Sequence, residues 1–216
     1  MAKSKGQISV SLDGYVAGPN QSEEHPLGEG GMDLHEWVFK LAAWREPHDL
    51  EGGEGEENPS NAVVIAAQEN VGAVVMGRNM FGPIRGEWGD SDWRGWWGEE
   101  PPFHVPVFVL THHPRESFEL EGGNVFHFVT DGIESAMAQA REAAGGKDVS
   151  IGGGASTLRQ AIAAGELDQL LVNQVPILLG GGESLFGGLP AGTAGFELVD
   201  VVQGPEALHL TYAISA

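Results

Sequence analysis

The stretch DVSIGGGASTLR, residues 148–159, sets three consecutive glycines between a short apolar run and a segment of helical character. Ordered glycine costs backbone entropy, so three in a row need a physical reason. A strand-to-helix turn supplies one, because glycines let backbone N–H groups approach a phosphate and the following helix adds its positive N-terminus. Ser156 and Thr157 add hydroxyl donors. We therefore predict a phosphate site here, with a plain tight turn as the alternative.

Outward from this turn, short apolar strands alternate with helical segments. Eight strands are predicted, over residues 7–12, 73–77, 107–111, 125–129, 149–152, 169–179, 196–203 and 207–214. The last two flank a Gly204-Pro205 turn and form a hairpin. The alternation predicts an α/β fold, with one three-layer domain over residues 1–216 and an eight-stranded, mostly parallel sheet with an antiparallel C-terminal edge. In such sheets, ligands bind at the carboxyl ends of the strands.

Three helices are predicted between the strands. The apolar residues of the first recur at helical spacing: Leu34, Trp37, Val38 and Leu41. Asp33 precedes them as a candidate cap. The second helix covers residues 61–71, and the third runs to Ala144 from a capping box formed by Asp131 and Glu134.

Two long loops interrupt this pattern. The first, at about residues 45–60, is acidic and glycine-rich and is predicted to be exposed. The second, at about residues 83–106, holds four tryptophans: Trp88, Trp93, Trp96 and Trp97. Four such rings are too many for a solvated loop. We predict that they wall the substrate side of the cleft or a subunit interface, with His104 near the cleft.

Composition excludes several classes of function. The chain has 11 Lys plus Arg against 31 Asp plus Glu, a net charge of −20, so binding to nucleic acid or membranes is not expected. It has no cysteine, which excludes disulfides, thiolate catalysis and cysteine-ligated metals, and we predict no metal site. No signal peptide or membrane span is recognised, so a cytoplasmic location is expected.

Two further strand ends carry groups suited to an anionic ligand. Gly77 and Arg78 follow the strand at 73–77, and Thr111 begins a run with two histidines and Arg115 after the strand at 107–111. Three such ends predict an extended ligand with more than one phosphate. The alternative for the histidine pair is the ordinary polarity of an exposed loop.

Taken together, the motifs resemble a known superfamily. SLDGYVAG, VVMGR, VFVLTHHPR, IGGGAST and LDQLLVNQVPILLGGGESLF resemble those of the dihydrofolate-reductase-like superfamily. The likeness is to its branch related to the reductase domain of the bifunctional deaminase-reductase of riboflavin synthesis. The zinc deaminase of such enzymes requires cysteines, so the resemblance extends to the reductase half alone.

The resemblance implies NADPH as the cofactor. It implies that one turn wraps the pyrophosphate of NADPH, and this turn consists of Gly153, Gly154, Ala155, Ser156 and Thr157. The resemblance also implies a cis peptide bond between Gly153 and Gly154. Gly77 and Arg78 match a second cofactor contact, although Met80 stands where classical members often have threonine. Thr111 matches the residue facing the 2′-phosphate, with His112, His113 or Arg115 supplying charge. Val16 and Ala17 match the stretch that lines the nicotinamide.

The resemblance offers two candidate proton donors, Asp13 and Asp33. The alternative for Asp13 is a turn residue before Gly14, and the alternative for Asp33 is the helix cap described above. Glu36 is the next candidate for the proton donor in place of Asp33. The GGGES run at residues 180–184 is either a turn or part of the substrate pocket.

The implied activity is reduction of a small heterocyclic or ribosylated substrate, such as 5-amino-6-(5-phosphoribosylamino)uracil. A dihydropterin substrate and a non-catalytic nucleotide-binding protein are the alternatives. Because members of the family commonly form dimers, the resemblance further implies a homodimer. A third, unrelated possibility is an acidic interaction module that uses the tryptophan-rich loop and has no affinity for the cofactor.

Overall fold

The computed structural model describes residues 2–48, 54–83, 86–89 and 92–215. The strands are β1 (Ser4–Ser11), β2 (Tyr15–Ala17), β3 (Val71–Gly77), β4 (Pro106–Leu110), β5 (Phe118–Leu120), β6 (Asn124–Val129), β7 (Asp148–Ile151), β8 (Gln169–Val175), β9 (Glu183–Ser184), β10 (Gly195–Gln203) and β11 (Leu208–Ser215). The helices are α1 (Glu36–Phe39), α2 (Ala42–Arg45), α3 (Pro59–Gln68), α4 (Arg78–Phe81), α5 (Ile133–Ala144) and α6 (Ala155–Ala163), with 3₁₀ turns at Gly31–His35 and Glu121–Gly123. None of these helices is long and apolar enough to cross a membrane.

The main sheet has nine strands in the order β10-β11-β8-β1-β7-β3-β4-β6-β5, and β2 and β9 form a second, two-stranded sheet. The six strands from β8 to β6 run parallel, while β10, β11 and β5 are antiparallel to their neighbours. The mostly parallel sheet and its antiparallel C-terminal hairpin are confirmed. The predicted count of eight strands is wrong, because β2, β5 and β9 have only two or three residues and show no periodicity.

The sheet is covered on both faces, which confirms the three layers. Alternate residues of a strand point to opposite faces. In β1, Val10 joins the core cluster that includes α5 and α6. Its neighbour Ser9 accepts a hydrogen bond from Trp37 Nε1 on the other face, over 3.3 Å. Trp37 belongs to a separate cluster that also includes Val64 of α3.

The predicted first helix is broken into shorter pieces. Its four apolar residues are buried as expected, but Leu41 is extended and separates α1 from α2. The break arises because the backbone of Glu56 pairs there, donating to the Lys40 carbonyl over 2.7 Å and accepting from the Ala42 amide over 3.0 Å. Asp33 is no helix cap: it lies inside the 3₁₀ turn, which no side chain caps.

The other helix ends differ in smaller ways. Helix α5 ends at Ala144 as predicted, but Gly132 begins it without a side-chain cap, so the predicted capping box is wrong. Helix α3 begins two residues early because the Asn58 side chain accepts from the Ser60 amide and Pro59 fits the first turn. Within the acidic loop, residues 49–53 lie outside the described residues.

The tryptophan-rich loop packs mainly against the protein itself. Three of its rings join a core cluster with Phe81 and Phe126: Trp88, Trp93 and Trp97. Trp96 is 42% exposed. Trp93 and Trp97 therefore cover the sheet, and the expectation that the rings wall a substrate cleft or a subunit interface stays a prediction. Positions 84, 85, 90 and 91 of this loop lie outside the described residues.

His104 lies at the opposite edge of the sheet from the predicted cleft. Its amide donates to the Asn124 side chain over 2.9 Å, and its Nδ1 is 3.0 Å from the Gly122 carbonyl oxygen. Asn124 begins β6, so His104 stands at the amino ends of the parallel strands. The predicted position near the cleft is wrong.

Candidate active site

The glycine turn joins β7 to α6 at the carboxyl edge of the sheet. The peptide between Gly153 and Gly154 is cis, as the resemblance implied, and Gly153 has φ of 102°. A Cβ added to Gly154 would meet no atom within 4 Å. No side chain caps α6. Because the first amides of a helix have no partner within it, this end can accept an anion.

The turn after β3 touches the glycine turn directly. The Gly77 amide donates to the Gly153 carbonyl oxygen over 3.0 Å. A Cβ on Gly77 would stand 2.5 Å from Thr157 Oγ1, so only glycine fits without a shift. Thr157 is 3% exposed, and its hydroxyl fills the space between the turns. Two of the predicted phosphate contacts are thus parts of one site.

The third predicted strand end joins this site through Arg78. Its Nη1 donates to Thr111 Oγ1 over 3.3 Å, across the ends of the neighbouring strands β3 and β4. The same hydroxyl oxygen accepts from the His113 amide over 3.1 Å. The Thr111 hydroxyl is therefore held by the His113 backbone and the Arg78 side chain, and it keeps the guanidinium beside it.

Two of the other charges predicted near Thr111 have partners elsewhere, and the third is exposed. Arg115 points into an aromatic cluster, with its guanidinium carbon 4.9 Å from the Trp88 ring centroid, and burial lowers its pKa. Among the described residues, its buried Nη1 has no hydrogen-bond partner. His113 Nδ1 lies 3.0 Å from a Glu87 carboxylate oxygen. His112 is exposed.

Val16 and Ala17 lie in β2, beside the 180–184 run. Their side chains are buried, at 7% and 4% exposed, so their backbone is the part available to a ligand. Ala17 pairs with Glu183 of β9. A Cβ on Gly182 would stand 2.1 Å from the Ala17 carbonyl oxygen, so glycine is required for this close approach.

A cavity of about 480 Å³ opens beside β2. It is lined by Gly18, Pro19, Asn20, Gln21, Arg159, Gly182, Glu183, Ser184 and Gly187. The Arg159 guanidinium projects into this region from α6, 2.9 Å from a Glu183 oxygen, and also donates to the Ser184 carbonyl. The GGGES run thus forms a turn and lines this cavity, and its place in a substrate pocket stays a prediction.

Asp13 holds two loops together. Its carboxylate accepts from Ser11 Oγ over 2.6 Å, from the Leu179 amide over 3.2 Å and from the Gly180 amide over 2.7 Å. The Ser11 hydroxyl, aided by these amides, lowers the pKa of Asp13. The group is ionised at neutral pH and accepts hydrogen bonds, which agrees with the turn interpretation.

Asp33 is exposed in the 3₁₀ turn Gly31–His35. This turn packs against β1 and β2, with the Gly31 backbone close to Ala17. Glu36 is exposed one residue beyond it. Of the two aspartates, Asp33 has no side-chain hydrogen bond among those resolved in the described part of the chain.

Arg159 and two side-chain pairings of the site were not predicted from the sequence. Trp88 stacks on Arg78, with 3.6 Å between the guanidinium carbon and the ring centroid. Arg159 and Glu183 line the cavity beside Gly18. Arg159 could have been found from its position shortly after the glycine turn. The pairing of Trp88 with Arg78 and that of Arg159 with Glu183 leave no pattern in the local sequence.

The fold matches that of solved reductases. Dihydrofolate reductase from Enterococcus faecalis, complexed with NADP(H), is 14% identical with a TM-score of 0.53, covering 99% of this chain and 97% of that one. The chain belongs to the RibD C-terminal domain family, whose model matches residues 6–210. This is a family of reductases.

Two other solved structures have similar folds. A protein ascribed to riboflavin biosynthesis from Shewanella sp. PV-4 is 23% identical with a TM-score of 0.64, covering 99% of both chains. RibD from Acinetobacter baumannii is 16% identical with a TM-score of 0.61, covering all of this chain and 59% of that one. No curated protein sequence matches this chain.

Proposed function

We propose that this protein is an NADPH-dependent reductase of a small heterocyclic or ribosylated substrate. The observation that carries the proposal is the hydrogen bond between Gly77 and Gly153. It joins two ligand-binding turns at the carboxyl edge of a parallel sheet, beside the uncapped end of α6. Family membership supports the reductase class, and family reductases typically use NAD(P)H.

The residues present fit a dinucleotide. The open space at Gly154 lets a phosphate approach the amides of Ala155 and Ser156. Arg78 and Thr111, 3.3 Å apart, provide a cation and a hydroxyl for the 2′-phosphate end. When bound, NADPH supplies a hydride from its nicotinamide. The β2 backbone at Val16 and Ala17 orients that ring, and the contribution of the chain is mainly positioning.

The cavity next to Ala17 is the proposed substrate site. A ribosylated pyrimidine such as 5-amino-6-(5-phosphoribosylamino)uracil is the leading candidate, and a dihydropterin is the second. Asp33 is the proposed proton donor, because Asp13 is engaged with two loops. Donation quenches the charge that develops as hydride arrives. Asp33→Asn should lower kcat more than it weakens NADPH binding.

The test combines binding with turnover. NADPH and NADH are titrated against tryptophan fluorescence, and candidate substrates are then screened by loss of reduced-nicotinamide absorbance. We expect NADPH to bind about ten-fold more tightly or better, since a charge-assisted contact contributes about 1.5–3 kcal/mol. Binding without oxidation of any substrate would favour a nucleotide-binding protein, and no binding would overturn the proposal.

We also propose that the chain forms a homodimer through β10. This strand stands at the edge of the main sheet, and four of its apolar side chains are between 42% and 51% exposed: Phe196, Leu198, Val199 and Val201. Exposed apolar edge strands are association sites. Because a net charge of −20 repels a second copy, added salt should strengthen the dimer. Light scattering of Leu198→Glu should show a monomer.

A further inference from the structure

Trp88 and Arg78 form a stacked pair at the edge of the candidate cofactor site. The guanidinium carbon of Arg78 lies 3.6 Å from the centroid of the Trp88 ring, well within the range of cation–π attraction. Arg78 follows β3 directly, and its Nη1 reaches Thr111 at the end of β4. The ring therefore supports a guanidinium that stands between two strand ends.

The indole is itself firmly held. Trp88 is 8% exposed, and its Nε1 donates to the His113 carbonyl oxygen over 2.8 Å. Its ring meets Phe81 and Phe128 edge-on, at centroid distances of 5.9 and 5.2 Å. An indole held by two edge-on aromatic contacts and by a hydrogen bond from its nitrogen can act as a rigid support for a side chain stacked on its face.

The contacts close into a circuit. Arg78 donates to Thr111, the His113 amide donates to the same Thr111 oxygen, and the His113 carbonyl accepts from Trp88. Trp88 then stacks on Arg78. Moving any one member disturbs the others, so the tryptophan-rich loop is coupled to the strand ends.

An ordered guanidinium binds an anion better than a free one. Arginine loses rotamer freedom on binding, and a side chain already confined by stacking loses less. Two other cations near Thr111 are directed elsewhere, since Arg115 lies among aromatic rings and His113 faces Glu87, and His112 is exposed. The strength of the site for a 2′-phosphate thus depends on the Arg78 conformation.

We propose that Trp88 is a positioning residue that holds Arg78 for the 2′-phosphate of the cofactor and so sets the preference for NADPH over NADH. This inference rests on the proposed NADPH-dependent function. It assigns the tryptophan-rich loop a role in cofactor choice, although most of that loop covers the sheet.

The test measures dissociation constants for NADPH and NADH on the full chain, with adenosine 2′,5′-bisphosphate and AMP as probes of the 2′-phosphate alone. Trp88→Leu should weaken NADPH and the bisphosphate by roughly five- to ten-fold, and NADH and AMP by less than about two-fold. Trp88→Phe keeps a ring and should fall between. The matched control is Trp96→Leu, in the same loop, which should change neither ratio.

A second arm separates positioning from general damage. Lysine cannot stack as a planar guanidinium does, so Arg78→Lys should reduce the preference for NADPH. In that background, Trp88→Leu should add little. Independent, additive losses would overturn the proposal, since they would mean that Trp88 acts through the fold and not through Arg78.

The outcomes distinguish the role of Trp88 from the proposed function. If the native chain prefers NADPH and Trp88→Leu or Trp88→Phe leaves that preference unchanged, the role of Trp88 is overturned and the proposed function stands. If the native chain binds neither cofactor, both are overturned. Circular dichroism checks folding, and Trp88→Phe carries the test should Trp88→Leu not fold.

Discussion

The amide of Gly77 donates a hydrogen bond to the carbonyl oxygen of Gly153, over 3.0 Å. The two residues belong to turns after β3 and β7, which are neighbouring parallel strands. This bond aligns both turns at one edge, so groups that are far apart in sequence can meet one extended ligand. The position of the site thus follows from strand order, and its chemistry follows from the residues in the turns.

Gly154→Val should remove cofactor binding without unfolding the protein. Gly154 has φ of −84°, which any residue adopts, and its Cβ would meet no protein atom. The added Cβ would therefore point into open space, which the proposed function gives to a phosphate. We expect NADPH affinity to fall by at least about ten-fold, from loss of charge-assisted hydrogen bonds. Equilibrium titration and thermal denaturation measure the two effects.

The control for that variant lies on the same helix. Ala163→Val adds a β-branched side chain at an exposed position near the other end of α6. It should leave NADPH affinity unchanged. Normal binding by Gly154→Val would mean that the glycines form a turn and nothing more.

Gly77→Ala should destabilise the fold through one identified contact. The new Cβ would stand 2.5 Å from Thr157 Oγ1, and the next nearest atom is 3.7 Å away. Overpacking of this kind costs about 1–3 kcal/mol. Urea denaturation should show that loss in the free energy of unfolding.

A second substitution tests the cause. Thr157→Ala removes the obstructing hydroxyl and should restore part of the stability of Gly77→Ala. Thr157→Val places a methyl group in the same space and should restore none. Equal behaviour of the two double variants would show that the strain lies elsewhere.

The central strands and the glycine turn after β7 were predictable because their signals are local. Strand β3, VGAVVMG, is apolar throughout because both of its faces are covered. The glycines at 152–154 mark a turn whatever lies around them. The break at Leu41 was not predictable, because it depends on pairing with Glu56 across the acidic loop.

The tryptophan loop shows the same limit at the site. From composition alone, its rings were predicted to wall the substrate cleft or a subunit interface. Their true partners are Phe81, Phe118 and residues of β6, which come together only when the sheet forms. Likewise, Trp88 lies over Arg78 while its Nε1 donates to the His113 carbonyl oxygen beyond the end of β4. Such contacts are long-range and leave no periodic signal.

Asp13 should protect two specific amides from hydrogen exchange. Its carboxylate accepts from the Leu179 and Gly180 amides. Asp13→Ala should speed exchange at both, and Asp13→Asn, which keeps one acceptor oxygen, should speed it less. Asp33→Ala is the control, because Asp33 makes no resolved contact with that loop. Unchanged exchange in Asp13→Ala would remove the loop-joining role.

Buried His209 should make stability depend on pH below neutrality. Its Nδ1 lies 2.7 Å from Asn173 Oδ1 and its Nε2 lies 2.8 Å from Ser60 Oγ, and burial lowers its pKa. The unfolded chain therefore takes up a proton first, near the ordinary histidine pKa of about 6.5. The free energy of unfolding should be constant above that pH and fall below it, until pH passes the lowered pKa of the folded state.

The contribution of His209 is identified by the slope of the free energy of unfolding against pH. Each such histidine contributes at most about 1.4 kcal/mol per pH unit. His35 and His127 add to the slope in the same direction, since burial lowers the pKa of both. Urea denaturation at several pH values between about 7.5 and 5.5 should show a smaller slope for His209→Gln than for the native chain. His112→Gln, at an exposed position, should keep the native slope, and an unchanged slope in His209→Gln would refute the assignment.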